Sequence, residues 1–193
     1  TALYIQKEIG IPISATFNNT TVPPTQSNLD TLIRNFKPLY DAGVKTVTIP
    51  HTHWMATGQI KKAFPEIHVK NTILRDVSTP SEIVNLAKAG FDYINLDRDL
   101  MRNRDVLLRL LEAKVWIKKN LGKDIKYSLL ANEGCLGNCP MMVEHFEFNN
   151  TRQDPTPQYF NDPISRVSCP KWDVLDPSVH LKTADLPPWR EDW

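Results

Sequence analysis

Cys135 and Cys139, in the run NEGCLGNCP, and Cys169, in SRVSCPKW, are the three cysteines of the 193-residue chain. A thiolate is a soft, strongly donating ligand. Three gathered after one strand-like segment point to a metal or iron–sulfur centre. The competing readings are packing as small buried hydrophobes, or a disulfide between two of the three. Cys135 and Cys139 have paired-ligand spacing for zinc, but Cys169 has no close partner, so a tetrahedral zinc site needs His145 or His180 to complete it. A [4Fe–4S] cluster tolerates widely separated cysteines and can leave one iron open. The spacing therefore favours iron–sulfur over zinc only modestly. His145, in CPMMVEHFEFN, is either a further metal ligand or a hydrogen-bonding histidine near the site.

These residues need a frame, and the preceding chain supplies one in alternating segments. IPISATF (Ile11 to Phe17) reads as a strand. Asn28 then caps a helix whose Leu29, Leu32, Ile33, Phe36, Leu39 and Tyr40 recur at helical spacing, and Gly43 ends it. Val44 to Ile49 is the second strand, Trp54 to Phe64 a second helix, and Ile67 to Leu74 the third strand. Ser78 and Thr79, with Pro80 and Glu82, predict a capped helix start, with the helix running to Gly90. Phe91 to Asp97 is a fourth strand, Asn103 to Leu121 a long amphipathic helix closed by Gly122, and Ile125 to Ala131 a fifth strand.

Strands alternating with crossover helices demand a parallel sheet. No glycine-rich phosphate loop follows any strand, which weighs against a nucleotide-binding open sheet. The expected fold is α/β, a parallel (β/α) barrel of TIM type, incomplete with about five strands present. A full barrel takes about 250 residues. The start at Thr1 and the stop at WREDW fit that expectation. The barrel segment is expected over 1–149. An irregular proline- and tryptophan-rich extension carrying Cys169 follows over 150–193.

In such a barrel the reactive face lies at the carboxyl ends of the strands. Those ends are polar throughout: Asn18 and Asn19, His51 and His53, Arg75 and Asp76, then Asp97, Arg98 and Asp99, then Asn132, Glu133 and Cys135. His51, Asp97 and Arg98 are the candidate catalytic groups. Asn18, Asn19, His53, Arg75, Asn132 and Glu133 are the candidate substrate contacts. His51 and His53 could also chelate a metal, if alternate residues of an extended segment point the same way. Asp97-Arg98-Asp99 could equally satisfy itself as a knot of ion pairs.

Composition narrows the classes further. A formal net charge of +1 argues against a broad electrostatic grip on nucleic acid, though a local basic groove remains open. No apolar run approaches the roughly 20 residues of a spanning helix, so no membrane partner is expected. The odd cysteine count and the lack of a leader fit a reducing, cytoplasmic setting.

The ordered pieces SATFNN, DAGVKTVTIPH, FPEIHVKNTIL, AGFDYINLDRDLMRNRD and ANEGCLGNCP together resemble the collagenase-like U-32 peptidase family. That family's relatives include iron–sulfur proteins of RNA and quinone hydroxylation. The resemblance implies a TIM-like barrel with a [4Fe–4S] cluster at the carboxyl-end rim, ligated here by Cys135, Cys139 and Cys169. Members typically use four cysteines, so this chain departs from the pattern by one. The function so implied is redox modification, such as hydroxylation, of an RNA base or small aromatic, with an electron donor as partner. A peptidase and a zinc-stabilised scaffold are the alternatives.

Overall fold

The computed structural model describes residues 2–130. They belong to the first of two units, Thr1–Ala131 and Asn132–Trp193. The boundary expected at 149/150 lies outside the described residues.

Five strands, β1 (Ser14–Thr16), β2 (Thr46–Ile49), β3 (His68–Asn71), β4 (Tyr93–Asn95) and β5 (Lys126–Ser128), make one parallel sheet in the order β1-β2-β3-β4-β5. Every crossover therefore steps one strand in the same direction. A doubly wound sheet reverses direction at a switch point, and this one does not. Among the described residues the sheet is open, with β1 and β5 as its edges.

The helices are α1 (Ala2–Ile9), α2 (Gln26–Asp41), α3 (Thr52–Ala56), α4 (Gln59–Ala63), α5 (Pro80–Ala89) and α6 (Arg104–Leu121). At α5 the predicted capping box is present. The Thr79 side chain accepts from the Glu82 N–H while the Glu82 carboxylate accepts from the Thr79 N–H. Gly122 closes α6 as expected, and Asn103, expected as its first residue, is its N-cap. Elsewhere the boundaries move. The cap of α2 is Thr25 rather than Asn28, whose amide instead donates to the Pro23 carbonyl at 2.9 Å. The helix expected over 54–64 is broken into α3 and α4 by Gly58, at φ +71, a left-handed conformation that costs glycine little. α1 carried no sequence signal strong enough to predict it. Its Gln6 amide donates to the Gly43 carbonyl and accepts from the Ile13 N–H, both at 3.0 Å, fastening the helix below β1 and β2.

Alternation sorts the strands into two faces. Val47, Ile49, Val69 and Ile94 are almost fully buried, in one core with Leu29 and Phe36 of α2, Ile83 of α5, and Leu110 and Ile117 of α6. Each such side chain contributes roughly 1.5–3 kcal/mol on burial, so this face holds the sheet to its helices. Tyr127 joins it by donating to the Leu110 carbonyl at 2.5 Å, and burial pushes its phenol up to about 12. The opposite face carries Thr48, Lys70, Tyr93 and Lys126, aligned across four strands, with Thr16 beside Thr48. No helix among the described residues is long and apolar enough to cross a membrane.

Candidate functional site

The loop after β1 is the first part of the carboxyl-end rim. Asn19 is used locally: its carbonyl oxygen accepts from the Thr21 N–H at 3.0 Å and from the Thr21 hydroxyl at 2.6 Å. Asn18 is different. Its side-chain oxygen is buried without a hydrogen-bond partner among the described residues.

His51 holds that loop to the end of β2. Its Nε2 lies 2.6 Å from the Val22 carbonyl, and its ring meets Trp54 edge-on, 4.8 Å between centroids. Facing a carbonyl, Nε2 must carry the proton, which leaves Nδ1 as the acceptor of a neutral imidazole. Burial lowers the His51 pKa. The Val22 bond opposes that shift, while Arg75 and His53 add to it by charge. His51 is only 5% exposed, whereas His53 is exposed. The two do not share an extended segment, because His51 is the N-cap of α3 and His53 lies in its first turn. The strand geometry that would aim both rings at one metal is therefore not the geometry present.

The end of β3 departs most from expectation. A strand to Leu74 was expected, but β3 stops at Asn71. The Thr72 side chain caps a single 3₁₀ turn, Ile73–Arg75, and Asp76 follows at φ 45, ψ 48. Val77 then rejoins the sheet beside Leu96. Between β3 and β4 the ladder has one aligned pair, Lys70 and Tyr93. Asn71 and Asn95 supply the missing bonds. The Asn95 N–H donates to the Asn71 Oδ1 at 2.7 Å, and Asn71 Nδ2 donates to the Asn95 carbonyl at 3.1 Å. Asn95 Nδ2 donates to the Asn71 carbonyl at 2.5 Å. With Asn71 1% exposed, this clamp fixes where the excursion of Thr72 to Asp76 begins.

That excursion brings Arg75 and Asp76 to the rim. Arg75 Nη2 donates to the Pro50 carbonyl at 3.3 Å, on the residue before His51. Asp76 sits in the field of Asp97, Arg98 and Asp99 from the end of β4. Burial raises its pKa, Asp97 and Asp99 raise it further, and Arg98 opposes them. One Asp76 carboxylate oxygen is buried without a hydrogen-bond partner among the described residues. Asp97 caps its own turn, accepting from the Asp99 N–H at 3.0 Å, and Arg98 is 6% exposed. His51, Arg75, Asp97 and Arg98 thus lie along one rim with Asp76 between them, while Asn19 and His53 turn to local bonds and to solvent.

Sequence reasoning placed Asp76 at a strand end but gave it no role, and missed Asn71 and Asn95. Nothing in a single asparagine announces a cross-strand clamp, because its partner is 24 residues away. Asn132, Glu133, Cys135, Cys139, His145 and Cys169 lie outside the described residues. Among the described residues no group of three His, Cys, Asp or Glu side chains could hold a metal ion. The expected ligands, three thiols and the His145 imidazole, are a donor set suited to zinc or an iron–sulfur cluster.

No family model and no curated protein matches the sequence. Among solved structures, the U32 peptidase Mk0906 matches with a TM-score of 0.64 at 13% identity, over 86% of this chain and 64% of that one. The chain thus spans less than two thirds of that protein's length. At this identity the likeness is one of fold. The chain is similar in fold to a U32 peptidase.

Proposed function

We propose that the sheet is part of a (β/α) barrel and that the chain is an iron–sulfur redox enzyme working at its carboxyl-end rim. The reaction would be hydroxylation or a related modification of an RNA base or small aromatic. The observation that carries this reading is the convergence of His51, Arg75, Asp76, Asp97 and Arg98 along one rim, with Cys135 following β5 in sequence. The sequential strand order and the likeness to Mk0906 support the barrel.

Cys135, Cys139 and Cys169 would hold a [4Fe–4S] cluster, with His145 available as the fourth ligand; when bound, a cluster passes single electrons. The side chains described here do the rest. Neutral His51, its Nε2 proton committed to Val22, can accept a proton only at Nδ1. Asp76, whose pKa burial and the nearby Asp97 and Asp99 raise, sets a carboxyl group beside Arg98 where it can contact a substrate. Arg98 adds positive charge against developing oxyanion character. Hydroxylation replaces a ring C–H with C–OH. The oxygen comes from an oxygen-donor co-substrate, which takes up the two electrons the ring loses.

The test is iron and labile-sulfide analysis of protein purified without oxygen, beside Cys135→Ser. The reading requires both elements in the parent and their loss in the variant. One zinc and no iron per chain would select a scaffold instead. The likeness to a protein named as a peptidase favours one second reading, hydrolysis of peptides. Cleavage that survives both Cys135→Ser and chelation would establish it.

A further inference from the structure

The face of the sheet turned away from the core holds an arrangement that neither the rim nor the cysteines account for. Register aligns Lys70 of β3, Tyr93 of β4 and Lys126 of β5 in one row across three strands. Both ammonium groups lie against the same ring, at 5.4 and 5.6 Å from its centroid, within cation–π range. His68 meets that ring edge-on at 5.8 Å. Lys45 also lies over a tyrosine, but Glu66 neutralises it at 3.1 Å. Lys70 and Lys126 have no carboxylate within ion-pair distance among the described residues. His68 and Lys126 are exposed, and Tyr93, unlike Tyr127, stands apart from the hydrophobic core. Two like charges bracketing one ring repel each other, and the ring quadrupole offsets only part of that cost.

We infer that this face binds a small oxyanion, a carboxylate or phosphate group, between Lys70 and Lys126 over Tyr93. The two lysines stand two strand spacings apart, roughly 10 Å at the backbone, a gap that two four-carbon stems can close on one ligand. A nucleic-acid strand needs basic groups tracking its backbone, together with several stacking rings. Here the row holds two lysines and one ring, in a chain of net charge +1. A small anion fits that footprint.

In the barrel proposed above this face is the inner wall, so the site is one that a small ion and not a polymer can enter. It needs no cluster, so loss of iron leaves it standing and the two readings fail separately. The test follows lysine and tyrosine side-chain NMR signals of the whole chain during titration with inorganic phosphate, and separately with benzoate, at constant ionic strength. The Lys70, Lys126 and Tyr93 signals should move together and saturate with at least one probe, while Lys45 stays still. Lys70→Met combined with Lys126→Met should weaken that probe about tenfold or more. Linear shifts at all lysines alike, or unchanged affinity in the double variant, would overturn the inference. Should the double variant not fold, Lys126→Gln at its exposed position decides: about threefold weakening supports the site, and unchanged affinity removes it. A single-stranded RNA dodecamer that binds more tightly than both probes, with a steep salt dependence, would replace the small anion with nucleic acid.

Discussion

The two ends of the sheet treat polar groups differently. At the amino end the half-buried ones are matched. One Asp92 carboxylate oxygen takes both the Lys61 ammonium and the Val69 N–H, and Lys61 also donates to the Ile67 carbonyl. Lys123 donates to the Ala87 carbonyl, and Gln6 bridges Gly43 and Ile13. At the carboxyl end Asn18 and Asp76 each leave a buried oxygen without a partner among the described residues, and burial favours the neutral form of His51. A buried polar group left unmatched costs roughly 1–3 kcal/mol, so the two oxygens left over at the carboxyl end cost stability there, although the Asn71–Asn95 clamp beside them is matched. That asymmetry is expected where one end carries the fold and the other the chemistry.

The contrast is sharpest at two aspartates. Asp92→Ala should destabilise the protein most, by about 1–3 kcal/mol, since it leaves the Val69 N–H without its acceptor and Lys61 with the Ile67 carbonyl alone. Urea denaturation measures this, and a loss under about 0.5 kcal/mol would erase the claimed difference between the ends. His51 gives a smaller, pH-dependent effect. Its folded pKa lies below the ordinary 6.5, so the unfolded chain binds the proton more readily. Stability should therefore fall as pH drops from 6.5 through the folded value. His51→Gln, which keeps a donor for Val22, should flatten that limb and change neutral-pH stability by less than about 1 kcal/mol. An unaltered acid limb would show that His51 is not the titrating group.

Asp76→Asn should have the smallest effect, and of opposite sign to Asp92→Ala. The folded pKa lies above the ordinary 3.8, so stability falls as pH rises from 3.8 to the folded value and stays lowered above it. Asparagine tolerates the left-handed backbone and carries no charge. The variant should match the parent below pH 3.8 and exceed it at neutral pH by under about 1 kcal/mol, read from denaturation midpoints across pH. Destabilisation at neutral pH would mean that the carboxylate is matched after all.

What could be read in the chain follows the range of the interactions. The Thr79–Glu82 capping box, Gly90 and Gly122 act within a few residues, and each stands where local rules put it. The apolar stripe of α2 and the parallel order of the strands were legible for the same reason. Gly58 was read through, because a glycine inside a helical pattern marks a break only once its φ is known. The end of β3 was misread because its register depends on Asn95, a partner distant in sequence. Of the site, the rim positions were visible as polar strand ends. Which of them would turn inward was not, since Asn18 and Asn19 look alike in sequence and differ only in their surroundings.

The central claim, that this rim serves an iron–sulfur redox enzyme, meets its most direct test in anaerobic purification followed by iron and labile-sulfide assay with an ultraviolet–visible spectrum. The account predicts iron and sulfide in equal amounts, a broad charge-transfer band that bleaches on reduction, and loss of both in Cys135→Ser. Protein that contains neither iron nor sulfide, with the same spectrum as Cys135→Ser, would contradict it.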